Sequence, residues 1–221
     1  MLSYISDILS SIDIVTPQYK SLVYTAIGVT TLSAVALRSS WESIKIIGLT
    51  VLTGTAYGII NDMIACRDCI EYFTIGHFYD GLSLTNRPIQ SLNPNLNAIV
   101  WGMIATWPVC LIAGIALSII ARVPLPGVTL KIKAKQIAPY LAIAAALTLT
   151  IAHMGSRQAQ KVMQEAPYVK YICVPLDLQA GWEACNIRNL TGYKALALGS
   201  MVLAVGILAV RILKRRNMES N

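Results

Sequence analysis

Between Asn97 and Arg122 the chain runs for 24 residues, 98–121, without one charged side chain. At 1.5 Å per helical residue, a run of that length crosses about 30 Å of hydrocarbon. Lipid offers no water to backbone amides, so such a segment must satisfy its hydrogen bonds internally, as an α-helix does. Four other apolar runs are long enough to cross, or nearly so: 22–37, bracketed by Lys20 and Arg38; 44–64; the Ala-rich 137–153; and 193–212, which ends against Lys214, Arg215 and Arg216. Only 13% of the side chains are charged and 55% are hydrophobic. A soluble domain carries about 25% charged residues, so water is not the main solvent of this chain. The expected fold is all-α: a polytopic transmembrane helical bundle of about five spans. Small residues such as Ala142, Ala144, Ala145 and Ala146 suit the close helix contact that drives association in lipid.

Residues 1–17 precede the bundle. Leu2, Ile5, Leu9 and Ile12 recur near helical spacing, and Pro17 ends the pattern. The segment lacks the basic start and continuous apolar run of a signal peptide. It is expected to be retained as an amphipathic helix lying along the membrane.

The net charge of +7 invites a nucleic-acid partner, yet the basic residues gather at the ends of apolar runs instead of on a face interleaved with aromatics. No nucleic acid is expected. The charges read instead as topology signals. Arg38 and Lys45, the loop with Lys131 and Lys133, and the basic tail all fall on one side of a five-span chain. The connections on the other side, 65–97 and 154–192, are longer and dilute their basic residues with acids. By the positive-inside rule the first side is expected to be cytoplasmic and the N-terminus outside.

Polar chemistry concentrates in 61–80, NDMIACRDCIEYFTIGHFYD, at the end of the second span. Acids at a membrane edge usually face a partner or a water-filled cavity. Asp62, Glu71 and His77, with His153 at the end of the fourth span on the same side, would supply a mixed nitrogen and oxygen ligand set for a proton or metal ion. The plainer alternative is that Asp62 and Arg67 cap or pair locally and the histidines sit in the interface. No metalloprotease helix motif, phosphate-binding glycine loop or nucleophile elbow is present, so the sequence names no cofactor.

Cys66, Cys69, Cys173 and Cys185 fall on the expected outer side, where disulfides persist, and Cys173 with Cys185 would staple their connection. Cys66 and Cys69 have the C-x-x-C spacing of thiol oxidoreductases and of zinc sites, although zinc needs a second pair of ligands. This layout resembles, in spacing, the quinone-coupled disulfide-forming proteins of bacterial inner membranes. That resemblance implies electron flow from Cys173 and Cys185 to Cys66 and Cys69, and onward to quinone.

Within the third span, Pro108 removes a backbone hydrogen bond and frees the carbonyl of Ile104, so a bend near Thr106 is expected. The connection 154–192 is long for a plain linker and is expected to form a small cap or to meet a protein partner. Tyr168, Tyr171 and Trp182 would anchor it at the interface.

Tyr57-Gly58-Ile59-Ile60-Asn61-Asp62, then Glu71-Tyr72-Phe73-Thr74 with Gly76-His77, then Ala105-Thr106-Trp107 resemble a group of uncharacterised bacterial integral membrane proteins. Members carry an Asn-Asp or His-Asp at a helix end, then EYFT, then ATWW. Pro108 stands in place of the second Trp. The resemblance covers about the middle third of the chain and brings no established activity. It favours Asp62, Glu71, Tyr72 and His77 as site residues and leaves the cysteines outside the shared pattern. The sequence is thus read as a non-enzymatic membrane protein that moves or senses a small ion, or helps assemble a membrane complex. A membrane thiol-disulfide oxidoreductase is the alternative.

Overall fold

The computed structural model describes residues 40–74, 89, 91–128, 130–171 and 174–219, with 214–219 as backbone alone. The amphipathic helix expected over 1–17, the span expected over 22–37, His77 and Cys173 lie outside these residues. Four long helices carry the fold: α1, Trp41–Asp68; α3, Pro94–Arg122; α4, Ala134–Glu165; and α5, Gln179–Glu219. The short α2, Ile70–Thr74, follows α1, and a 3-10 turn, Leu176–Leu178, leads into α5. Four helices, counting the turn with α5, are long and apolar enough to cross a membrane, and no strand occurs among the described residues. The protein is an all-α helical bundle.

Every long helix outruns the apolar stretch that marks it in the sequence. α1 continues to Asp68, so Cys66 and Asp68, expected in the connection 65–97, belong with Asn61 and Asp62 to its last turns. Likewise α4 runs to Glu165 and α5 begins at Gln179. The long connection expected over 154–192 shrinks to 166–178. Backbone bonding explains this. The helical ladder continues through polar residues, and α1 stops only where Cys69, in extended conformation, donates its N–H to the Ala65 carbonyl at 3.0 Å.

α3 starts at Asn93, whose side-chain oxygen accepts from the backbone N–H groups of Asn95 at 2.9 Å and Leu96 at 3.3 Å, with Pro94 in the first turn. It then runs unbroken through Pro108. After α3, Pro126 and Gly127 form a turn closed by Val128 N–H donating to Leu125 O at 2.9 Å. Gly127 has φ 70°, a left-handed conformation that glycine adopts without strain.

α1 packs antiparallel on α3 through glycine. A Cβ on Gly58 would lie 2.5 Å from the Gly102 carbonyl oxygen, and one on Gly102 would lie 2.6 Å from the Gly58 backbone. The two backbones touch at that crossing, as small residues allow in membrane bundles. α4 and α5 form a second antiparallel pair, with Gly199 opposite Ala144 and Gly155 opposite Thr191. α1 joins the pairs: the Tyr57 hydroxyl reaches α5 where Gly192 leaves room.

Two apolar clusters close the ends. One gathers Ile46, Leu117, Ile132, Ile137, Leu141 and Ile207; the other gathers Ala65, Cys66, Cys69, Phe73, Trp182 and Cys185. At the first end, Arg211 is fully buried and serves as a latch. Its guanidinium donates to Leu130 O at 2.8 Å, Val123 O at 2.7 Å and Ile120 O, tying α5 to the carboxyl end of α3. Arg211 lies within the apolar run 193–212 and turns inward to carbonyls that include those of Ile120 and Val123, left without a helical partner at the end of α3. Glu42 at the same end accepts from the Ala134 backbone N–H at 3.0 Å, joining the starts of α1 and α4.

Candidate functional site

The second end of the bundle holds buried charge. α1 presents Asn61, Asp62 and Asp68; α4 presents His153, Ser156 and Arg157; α5 presents Arg188 and Asn189. Arg188 is at the centre, with 0% of its surface exposed. Its Nη2 donates to Asp68 Oδ2 at 3.3 Å and to Ser156 Oγ at 3.3 Å, and lies 3.2 Å from His153 Nδ1. On the other side Asp68 Oδ1 meets Arg157 Nη1 at 3.2 Å.

A guanidinium only donates, so the contact to His153 requires a lone pair on Nδ1 and places the neutral ring's proton on Nε2. Nη2 has two hydrogens and faces three acceptors, while Nε and Nη1 of Arg188 are buried without a hydrogen-bond partner among the described residues. The array is therefore under-satisfied on one side and contested on the other. Its members must share protons and partners.

Asp62 lies nearby, 6% exposed. Its Oδ1 accepts from Asn61 Nδ2 at 3.2 Å, and the same amide nitrogen donates to Asn189 Oδ1 at 3.2 Å. Arg188 is within Coulombic reach, as are Tyr57 and Tyr193. No direct cationic partner of Asp62 occurs among the described residues, in contrast to Asp68. An isolated buried carboxylate is costly to ionise, so this position calls for a proton or a counter-ion.

The remaining candidates lie elsewhere. Glu71 on α2 accepts from the Cys69 thiol at 3.5 Å, and Tyr72 packs edge-on against Phe73 and Trp182, both at 5.3 Å between ring centroids. The structure thus gathers Asp62 and His153 around Arg188 and leaves Glu71 and Tyr72 with the apolar cluster. Among the described residues no group of three or more His, Cys, Asp or Glu side chains could hold a metal ion, and His77 of the expected set lies outside them. Arg67 donates to Met63 O and, at 2.8 Å, to Asn95 Oδ1, linking the end of α1 to α3.

Among the described residues Cys66, Cys69 and Cys185 are buried free thiols, and Cys173, the expected partner of Cys185, lies outside them. Cys185 lies across the interface from the C-x-x-C pair, donating to Ala65 O at 3.3 Å. Burial pushes the Cys69 thiol up to about 11. A thiol so protonated is a poor nucleophile.

The connection 166–178 is pinned to the start of α5. Gln179 donates to the carbonyls of Tyr171 and Val174, both at 2.7 Å, and accepts from the N–H groups of Lys170 and Tyr171. Glu183 binds Lys170 Nζ at 2.7 Å and the Tyr171 hydroxyl, whose acidity is suppressed by burial and that bond. This is a small cap over the bundle end.

Asp68, Ser156, Arg157 and Arg188 escaped the sequence reading as a set. A signal was available: Trp182, Cys185, Arg188 and Gly192 recur at helical spacing within the supposed connection, and all four are buried.

The chain matches no protein-family model, no curated protein and no solved structure. Its function must be argued from the array itself.

Proposed function

We propose that this chain is a non-enzymatic integral membrane protein of a bacterial inner membrane that moves or senses a proton or small ion at the Asp62, Asp68, His153 and Arg188 array. The observation that carries this reading is Arg188: fully buried, one nitrogen divided among Asp68, His153 and Ser156, and two others without a partner among the described residues. A pair kept only for packing would be closed on itself, because unmet buried donors are costly. Here, protonating His153 would set a cation against Arg188 and release Nη2 to Asp68, so proton occupancy and helix contact are linked. Asp62, without a bonded cation, is the natural site for the moving charge.

The array sits at the end expected to be outside. Lys45, Arg122, Lys131 and Lys133 flank the opposite end, where Glu42 meets Ala134 and Arg211 meets Val123, which supports a cytoplasmic C-terminus. The reading is tested with purified protein in vesicles containing a pH-sensitive dye. Asp62→Asn and His153→Gln should each abolish pH-driven flux or its pH response while leaving the melting temperature near that of the wild type. Unchanged flux and response in both variants would remove the proposal.

One observation favours a second reading, a thiol-disulfide oxidoreductase: Cys185 packs in one cluster with Cys66 and Cys69. Their burial weighs against it, since exchange needs an accessible thiolate. Thiol labelling from each side of the membrane separates the two, because a pair that cycles between labelled and protected states belongs to redox work.

A further inference from the structure

A groove of about 860 Å³ runs between α4 and α5, away from the charge array. Along α5 its wall is Lys194, Leu198, Val202 and Gly206, one residue per turn; along α4 it is Tyr140, Ala144, Leu147 and Ile151. From Gln136 to Ile151 the α4 wall extends about 22 Å at the helical rise. Tyr140, Leu147 and Leu198 stand up as rims, each more than half exposed, the buried Ile137, Thr148 and Ile207 form the floor, and Gly206 on the α5 wall has no other atom within 4 Å of a built Cβ.

Two features decide what fits. The first is shape: the two helices meet beneath the groove, a Cβ built on Gly199 falling 3.8 Å from Ala144 Cβ, so the space is an elongated slot open along its length in which an acyl chain can lie. The second is charge. Lys194 opens one end of the groove, no acidic side chain lines it, and Lys194 makes no ion pair with any described residue. Residues 195–210 below it are uncharged, so Lys194 stands at the polar edge of the span, where a lysine keeps its ammonium at headgroup level.

We propose that this groove binds a phospholipid with a net anionic headgroup, an acyl chain lying between α4 and α5 and the headgroup phosphate meeting Lys194. Its volume is that of an ordinary small-molecule site. Thr191, beside Lys194 in the lining, places a hydroxyl at the same end for a phosphate oxygen.

The test is native mass spectrometry of the full chain released from detergent containing equal amounts of phosphatidylglycerol and phosphatidylcholine with identical acyl chains. The wild type should retain phosphatidylglycerol about fivefold over phosphatidylcholine, as one interfacial lysine provides. Lys194→Gln should bring the two to parity, Lys194→Arg should keep the preference, and Gly206→Leu, which narrows the groove from the α5 wall, should reduce both adducts. Circular dichroism confirms that each variant is folded. Equal retention by the wild type, or a preference untouched in Lys194→Gln, overturns the proposal. So does a dimer that Gly206→Leu dissociates, since a second copy would then be the occupant.

Discussion

Arg188 and Asp68 are 120 residues apart in the chain and joined at 3.3 Å inside the bundle, the arginine fully buried and the carboxylate nearly so. The bond ties the end of α1 to the first half of α5, and Arg157 brings α4 to the same carboxylate. Three helices therefore share one negative charge. Any account of this protein's stability or activity passes through that point.

Breaking the pair from one side should cost more than removing it. Arg188→Leu strands Asp68 with Arg157 alone, and Asp68→Leu strands a buried guanidinium; each should destabilise by about 3–5 kcal/mol. The double variant should recover a large part of the loss. Chemical unfolding in detergent, run on all three, measures the coupling. Additive losses would make the pair energetically unimportant.

At the crossing of α1 and α3, Gly58→Leu should separate the helices. Its first side-chain carbon would fall 2.5 Å from Gly102 O and from Thr106 Cγ2. Overpacking of that kind costs about 1–3 kcal/mol or more. Gly48→Ala is the matched control, because nothing lies within 4 Å of its built Cβ and alanine favours a helix over glycine by about 1 kcal/mol. The melting temperature should fall in the first variant and hold or rise in the second.

Replacing Arg211 by Lys should loosen the opposite end. A single ammonium cannot reproduce the fork that reaches Leu130, Val123 and Ile120 together. The expected result is faster proteolysis or hydrogen exchange in the loop 123–133, with the charge array unaffected. Equal protection in the variant would show that the latch is not needed.

Cys69 gives a pH signature with a defined sign. Its thiol is raised by burial from an ordinary 9.0 to about 11, so the folded state holds the proton longer than the unfolded state. The stabilising contribution is complete below pH 9 and is lost as pH rises toward about 11. Cys69→Ala should flatten stability over that window. In the folded wild type, maleimide labelling at neutral pH should be slow and should speed up about tenfold per pH unit as thiolate forms. Rapid labelling at pH 7 would mean that the thiol is exposed.

Much of this was legible from the order of residues alone. Long apolar runs poor in charge have one stable form in lipid, and four of the five expected are the four long helices. Hydropathy sees only where the apolar residues stop. It closed the second span at residue 64, whereas the backbone ladder of α1 carries on to Asp68. That difference hid the site. Read as a loose connection, Asp68 had no fixed direction; as the last turn of a helix, it has one. Arg188 was likewise hidden in a supposed loop that is the first half of α5.

What the sequence by itself determined is the helical, membrane-like character of the chain, because that follows from the cost of placing charge and unbonded amides in hydrocarbon. Tertiary structure alone decided which charges meet. Asp68, His153 and Arg188 lie on three helices, and no local spacing relates them. Their junction depends on how Gly58 on Gly102 and Gly192 under Tyr57 let the helices approach. The same packing separates Asp62 from Glu71, which the sequence had placed in one block.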